Sequence, residues 1–312
     1  MGMTATAQVR APKPELVIID TDIGDDIDDV FAVGLALVSP EVRILGVMSS
    51  WDNTPLKARL LDRLLCETGR TDIPVAVGIE THPGQGPLSQ ARWAARQPDR
   101  PHPAAVDFLL GQIREHPGAI TLIAIGPLTN LGAAIKRDPA TFRKLKRIVI
   151  MGGSVRRGYG GPDHPPDAEY NLKMDIPAAQ AVFTSGVPLY VMPLDSTQIP
   201  LNEARRRMLF AQSTNLTDAM ALLYDQWSLG HNLVEPTMFD AVAVAYAIDP
   251  EQCPMTPLRL EVDGKGFTRE VKGDPNTFVC LRSDESKFYD FYMPRILKQT
   301  LAGSCLEATS PH

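Results

Sequence analysis

Residues 15–31 read ELVIIDTDIGDDIDDVF and place six aspartates, Asp20, Asp22, Asp25, Asp26, Asp28 and Asp29, within ten positions. Two like charges about 4 Å apart repel by roughly 4 kcal/mol at an effective dielectric near 20. A folded loop therefore gathers these groups only with protons or a cation to compensate them. Some of the cluster can cap the helix that begins at DDVFAVGLAL, because a helix N-terminus favours carboxylates. Capping occupies one or two side chains, and a solvated acidic turn sits badly between the apolar runs LVII and VFAVGLAL. All-oxygen donors with no nearby His or Cys point to a hard cation, Ca²⁺ or Mg²⁺, rather than zinc.

The elements that must position this loop are legible as periodic runs. Short β-branched stretches at 16–19, 42–49, 73–77, 119–125, 146–151 and 188–192 predict buried parallel strands. Helical patterns at 29–38, 54–68, 103–116, 128–137 and 175–185 lie between them, which predicts an α/β fold with a mainly parallel central sheet flanked by helices. Beyond residue 200 the pattern changes to helices near 200–231 and 239–248, a strand pair at 257–263 and 277–282, and a last helix near 284–301. No repeat or long linker interrupts the chain. The expectation is a single compact domain over 15–302, between an N-terminal tail, 1–14, and a C-terminal tail, 303–312. The irregular stretches 79–102 and 154–170 follow strands, where α/β proteins place their sites.

Composition narrows the partner. The 312 residues are 44% hydrophobic and 22% charged with a formal net charge of −6, which disfavours nucleic acid and anionic membrane and favours a small molecule. No apolar run reaches the length of a membrane span. Cys66, Cys253, Cys280 and Cys305 stand far apart with no CxxC pair, which predicts reduced structural thiols and a reducing compartment. The opening MGMTATAQVRAPKPE has no apolar h-region, and the expected location is the cytoplasm.

The acidic stretch resembles the signature of the nucleoside hydrolases, the inosine–uridine-preferring N-ribohydrolase family, whose first strand ends in Asp-Thr-Asp-Pro-Gly-x-Asp-Asp. Further matches follow in family order: GVMSSWDN (46–53), AIGPLTNL (124–131), IVIMGG (148–153) with AEYNLKMD (168–175), and FDAVAVAYAIDP (239–250). The resemblance implies calcium, with Mg²⁺ less favoured, held by Asp22, Asp29, Asp240 and the carbonyl of Ile125. It implies ribose contacts from Asn53, Met151, Glu169 and Asn171, a nucleoside substrate, and a homodimer or homotetramer. The reaction implied is hydrolysis of the N-glycosidic bond, which needs a water nucleophile at the anomeric carbon, stabilisation of oxocarbenium-like charge and departure of the base. Asp28 is the expected proton acceptor for that water.

The sequence departs from the family pattern in three places. Ile23 replaces the usual Pro, and the loop carries two extra residues, so Asp25-Asp26 precedes Asp28-Asp29. The helix register favours Asp28 as the catalytic carboxylate, with Asp26 as the rival. Phe239 stands where the family often has a His read as acid to the departing base. The loop at 154–168 is longer than usual and lacks the Asn that usually precedes Glu169. Trp227 could stack on the base or be a core tryptophan, and His231, His82 and His164 are candidate acids. Without one of them, only substrates with a good leaving group should react quickly. Two other readings remain open: a haloacid-dehalogenase-like phosphatase, which shares a strand-end Asp-x-Asp but wants Gly-Thr after it, and a non-catalytic relative that binds nucleoside or ribose.

Overall fold

The computed structural model describes residues 13–81, 88–161 and 163–303. Most of both expected tails therefore lies outside the described residues, as does His82. The chain runs β1 (Glu15–Thr21), α1 (Asp28–Leu37), β2 (Val42–Ser49), α2 (Thr54–Glu67), β3 (Val75–Ala76), α3 (Ala91–Ala94), α4 (Ala105–Glu115) and β4 (Ile120–Ala124). It continues through α5 (Thr129–Arg137), α6 (Pro139–Phe142), β5 (Arg147–Met151), α7 (Tyr170–Met174), α8 (Ile176–Phe183), β6 (Leu189–Met192) and α9 (Leu194–Thr197). The last part holds α10 (Glu203–Phe210), α11 (Asn215–His231), α12 (Phe239–Ile248), β7 (Met255–Leu258), β8 (Leu260–Val262), β9 (Thr268–Glu270), β10 (Thr277–Cys280) and α13 (Glu285–Lys298).

Among the described residues the main sheet has eight strands in the order β3-β2-β1-β4-β5-β6-β10-β7. All neighbours are parallel except β10 and β7. Val17, Ile18 and Ile19 of β1 are wholly buried, as a strand covered by helices on both faces requires. One face packs against α1, α2, α11, α12 and α13. The other packs against α4, α5 and α8. After β1 the chain winds outward to β2 and β3, then returns to place β4 on the other side of β1. The carboxyl ends of β1 and β4 therefore flank a topological switch point, where such sheets open a crevice. A separate hairpin of β8 and β9 supports the turn after β5, where the Ser154 N–H donates to Thr268 Oγ1 at 3.4 Å.

The cysteine expectation is corrected. Cys253 and Cys280 form a disulfide with Cα atoms 5.9 Å apart, and Cys66 is disulfide-bonded as well. The two residues are 27 apart in sequence but meet because β7 and β10 pair antiparallel with Cys280 opposite Met255, two positions from Cys253. Disulfides persist in oxidising compartments, so the cysteines lend no support to a cytoplasmic location. Among the described residues no helix is long and apolar enough to cross a membrane.

Candidate active site

Helices α1 and α12 pack side by side, and almost every residue of each is buried. Both begin at the carboxyl end of the sheet, so their first turns meet. Asp28 and Asp29 open α1 and Asp240 is the second residue of α12. Their carboxylate oxygens lie within 4.8 Å of one another, all three residues buried. The Asp240 N–H donates to Asp28 Oδ2 at 3.2 Å, and Thr21 Oγ1 donates to Asp29 Oδ1. Two helix N-termini offer partial positive charge here, yet burial first, and then repulsion from neighbouring carboxylates, Asp26 on Asp28 and Asp22 on Asp29 foremost, push the Asp28, Asp29 and Asp240 carboxyls well above the usual range.

Asp22 faces the same cleft, and burial raises its carboxyl to about 6 against the opposing pull of Lys57. Lys57, only 2% exposed, donates from Nζ to the Asp22 carbonyl at 2.5 Å. One ammonium cannot balance four carboxylates. This excess of buried negative charge, presented by oxygen donors alone, fits a divalent hard cation. The Ile125 residue that follows β4 lines the cleft too, and Gly126 lets the chain pass close to the cluster. A Cβ there would stand 2.7 Å from both Asp22 Oδ1 and Ser50 Oγ.

Beneath the cluster Asp20 is wholly buried. Burial lifts its carboxyl to about 8, so it carries a proton at neutral pH. Asn130 Nδ2 donates to Asp20 Oδ1 at 2.7 Å and to the Ser49 carbonyl at 3.0 Å, while Asn130 Oδ1 accepts from the Ile79 N–H at 2.9 Å. The Thr-Asn turn thus ties the ends of β1 and β2 to the segment after β3.

The wall after β5 supplies the polar side of the cleft. Glu169 caps α7 and accepts from the N–H groups of Gly153, Asn171 and Leu172 at 2.8, 2.8 and 3.2 Å. Burial outweighs these bonds and raises its carboxyl to about 7. Gly153 takes φ of +88°, and a Cβ would meet Thr268 Oγ1 at 2.8 Å, so the close turn requires glycine. Asn171 Nδ2 donates to the Met151 carbonyl at 3.1 Å. The long 154–168 loop is tethered by Asp195, which accepts from the N–H groups of Val155 and Arg156 at 2.9 and 2.8 Å. It delivers Tyr159, whose hydroxyl accepts from the Tyr170 N–H at 3.1 Å and whose ring meets Phe239 edge-on with centroids 6.3 Å apart.

A third wall comes from the end of α11. His231 lines the cleft, with Nδ1 on the Trp227 carbonyl at 3.0 Å and Nε2 3.6 Å from Asp25 Oδ2. Trp227 itself is 3% exposed and hydrogen-bonds to the Asp26 side chain.

Asp22, Asp28, Asp29, Ile125, Met151, Glu169, Asn171, His231, Phe239 and Asp240 therefore share one cleft of about 240 Å³. That space suits a small molecule. The Asp26 side chain reaches the cleft as well, but it accepts from the Ile27 N–H at 2.7 Å and stays out of the carboxylate triad, so the second aspartate pair is the one that joins Asp240. Three expectations are corrected. Asn53 caps α2, accepting from the Leu56 N–H at 3.0 Å, and does not line the cleft. Its neighbours Trp51 and Asp52 do, each at positive φ, 59° and 54°. Trp227 is a core residue and offers no face for stacking. His164 is exposed on the long loop and does not line the cleft. Trp51, Lys57, Tyr159 and Tyr170 were not expected; the three aromatic residues stand in or beside irregular segments, which was their only sequence signal, and Lys57, inside α2, gave none.

A family model described as inosine-uridine preferring nucleoside hydrolase matches residues 17–290. The chain is 34% identical over 201 residues to the probable uridine nucleosidase 2 of Oryza sativa subsp. japonica, a match spanning 60% of this chain and 58% of that protein, less than two thirds of its length. It is 33% identical over 257 residues to uridine nucleosidase 1 of Arabidopsis thaliana, covering 74% of each chain. A solved plant nucleoside hydrolase, PpNRh1, superposes with a TM-score of 0.81 at 26% identity, covering 92% of this chain and all of that one.

Proposed function

The chain belongs to the inosine-uridine preferring nucleoside hydrolase family, and on that premise we propose that it hydrolyses the N-glycosidic bond of ribonucleosides to free base and ribose. The observation that carries the reading is the meeting of Asp28, Asp29 and Asp240 in the cleft that also holds Glu169 and Asn171. The ion is proposed to be Ca²⁺, with Asp22, Asp29, Asp240 and the Ile125 carbonyl as the groups that hold it. When bound, it supplies positive charge beside the sugar and lowers the pKa of the attacking water.

Asp28 takes the proton of that water as the oxygen approaches the anomeric carbon. Its place at the start of α1, with Oδ2 fixed by the Asp240 N–H, holds the carboxylate still through the transfer. Asn171 and the Glu169 carboxylate, pinned by three backbone N–H groups, orient the ribose hydroxyls, and Met151 packs beneath. Fixing the sugar in this way converts binding into alignment of the reacting carbon. The relatives named uridine nucleosidase make uridine the first substrate to try.

The test is a panel of purine and pyrimidine nucleosides with p-nitrophenyl phosphate as control. Equal amounts of uracil and ribose from uridine, with the phosphate ester intact, are expected. Release of p-nitrophenol without nucleoside cleavage would move the protein to the phosphatases. Saturable nucleoside binding with no product would make it a binding relative.

A further inference from the structure

The loop that holds Asp25 and Asp26 is longer than the family signature, and Phe239 occupies the place of a usual acid. One arrangement accounts for both. The Asp25 carboxylate is fixed by the Ser89 N–H on Oδ1 at 3.2 Å, and the Ser89 hydroxyl donates to the Asp25 carbonyl at 2.6 Å. That leaves Oδ2 facing His231 Nε2 at 3.6 Å. Asp26 receives the Trp227 side chain, one helical turn before His231 on α11, and its carbonyl accepts from Gln90 Nε2 at 3.0 Å. The two extra loop residues thus dock onto the end of α11 and hold His231 at the cleft.

We propose that His231, held by Asp25, is the general acid that protonates the departing base, in place of a residue at position 239. This rests on the hydrolase reading above. A carbonyl only accepts, so the contact with the Trp227 oxygen fixes a hydrogen on Nδ1. The proton that moves is therefore the one on Nε2, which stands 3.6 Å from Asp25 Oδ2, beyond hydrogen-bond reach, and is open to a base entering the cleft that His231 lines. The charged side chains that face the ring are Asp25 and Asp26. As the C1′–N bond breaks, its electron pair passes to the base nitrogen system, which takes the Nε2 proton. The water oxygen bonds to C1′ and its proton goes to Asp28. Solvent then reprotonates His231 and takes the proton from Asp28, so one water is consumed overall. Among the described residues the two phenols at the cleft, Tyr159 and Tyr170, are the rival proton donors, and each is a weaker acid than an imidazolium. The Tyr159 hydroxyl accepts from the Tyr170 N–H, the Tyr170 hydroxyl is bonded by Trp51, and burial holds both phenols above their ordinary range.

The experiment compares kcat/KM for uridine and for p-nitrophenyl riboside, whose leaving group needs no proton, in wild type, His231→Gln and Asp25→Asn. Loss of a general acid costs about 10²- to 10⁴-fold, so His231→Gln is expected to lower the uridine to p-nitrophenyl riboside ratio by about 100-fold or more. Asp25→Asn should lower the same ratio by about 10-fold, because His231 stays but loses its partner. A merely structural His231 would slow both substrates together. An unchanged ratio in His231→Gln, whether both rates fall or neither does, overturns the proposal. Wild type that cleaves neither riboside overturns the hydrolase reading and the proposal with it.

Discussion

Asp28→Asn lowers kcat on uridine by about two to four orders of magnitude, the range for loss of a general base, while the variant still binds Ca²⁺. The substitution is nearly isosteric and keeps an oxygen to accept the Asp240 N–H, which Asp28 Oδ2 receives at 3.2 Å. It removes the capacity to take a proton from water. Calcium titration followed by calorimetry, with steady-state rates on the same preparation, separates two roles that the geometry places side by side, since Asp28 shares its cluster with Asp29 and Asp240. Loss of calcium binding in Asp28→Asn would make it a ligand rather than a base. Asp26→Asn serves as the control, because Asp26 lies outside that triad. If Asp26→Asn showed the large loss and Asp28→Asn did not, the first aspartate pair would be the catalytic one.

The second large effect is on stability and depends on pH. Burial raises Asp22 to about 6, Glu169 to about 7 and Asp20 to about 8, from ordinary values of 3.8, 4.5 and 3.8. Asp28, Asp29 and Asp240 move in the same direction. A carboxyl whose folded pKa lies above its unfolded one binds more protons in the native state, so stability falls as pH rises. In metal-free protein this contribution is complete below about pH 4 and is lost progressively as pH rises towards 8. Calcium needs Asp22, Asp29 and Asp240 deprotonated, so its affinity grows over that window. A free ligand at 100 times its Kd adds about 2.7 kcal/mol, worth about 4 °C in a chain of this size. Melting curves with calcium or chelator at pH 5, 6.5 and 8 should therefore diverge, with little calcium effect at pH 5 and the largest at pH 8. A calcium shift independent of pH, or chelated protein that grows more stable from pH 5 to 8, would contradict the assignment of these carboxyls to the metal site.

The fold was legible because its strands and helices are long apolar runs with clear periods. LVII in β1 and FDAVAVAYAI in α12 could be read directly, and with them the residues that open or follow them, Asp22, Asp28, Asp29 and Asp240. Residues positioned by contacts distant in sequence were not legible. Tyr159 reaches the cleft because Asp195, about 40 residues on, ties down the backbone of Val155 and Arg156. Lys57 looks like any exposed helical lysine until the Asp22 carbonyl is seen above it. Asn53 carried a choice that sequence could not make, between capping a helix and contacting a ligand, and the cap prevailed. Trp227 was ambiguous for the same reason, since an amphipathic helix shows which face is apolar but not whether that face meets a core or a cleft. The Cys253–Cys280 pair depended on the pairing of β7 with β10, which spacing alone does not reveal.

The claim at the centre of this account is that a cation gathered by buried aspartates enables hydrolysis of a nucleoside. It is tested most directly by stripping the protein with chelator, removing the chelator, and restoring Ca²⁺ in steps while uracil and ribose released from uridine are measured. The account predicts no product from the stripped protein and recovery in proportion to bound calcium, complete at one ion per chain. Full uridine cleavage by metal-free protein, or recovery by zinc but not calcium, would contradict it.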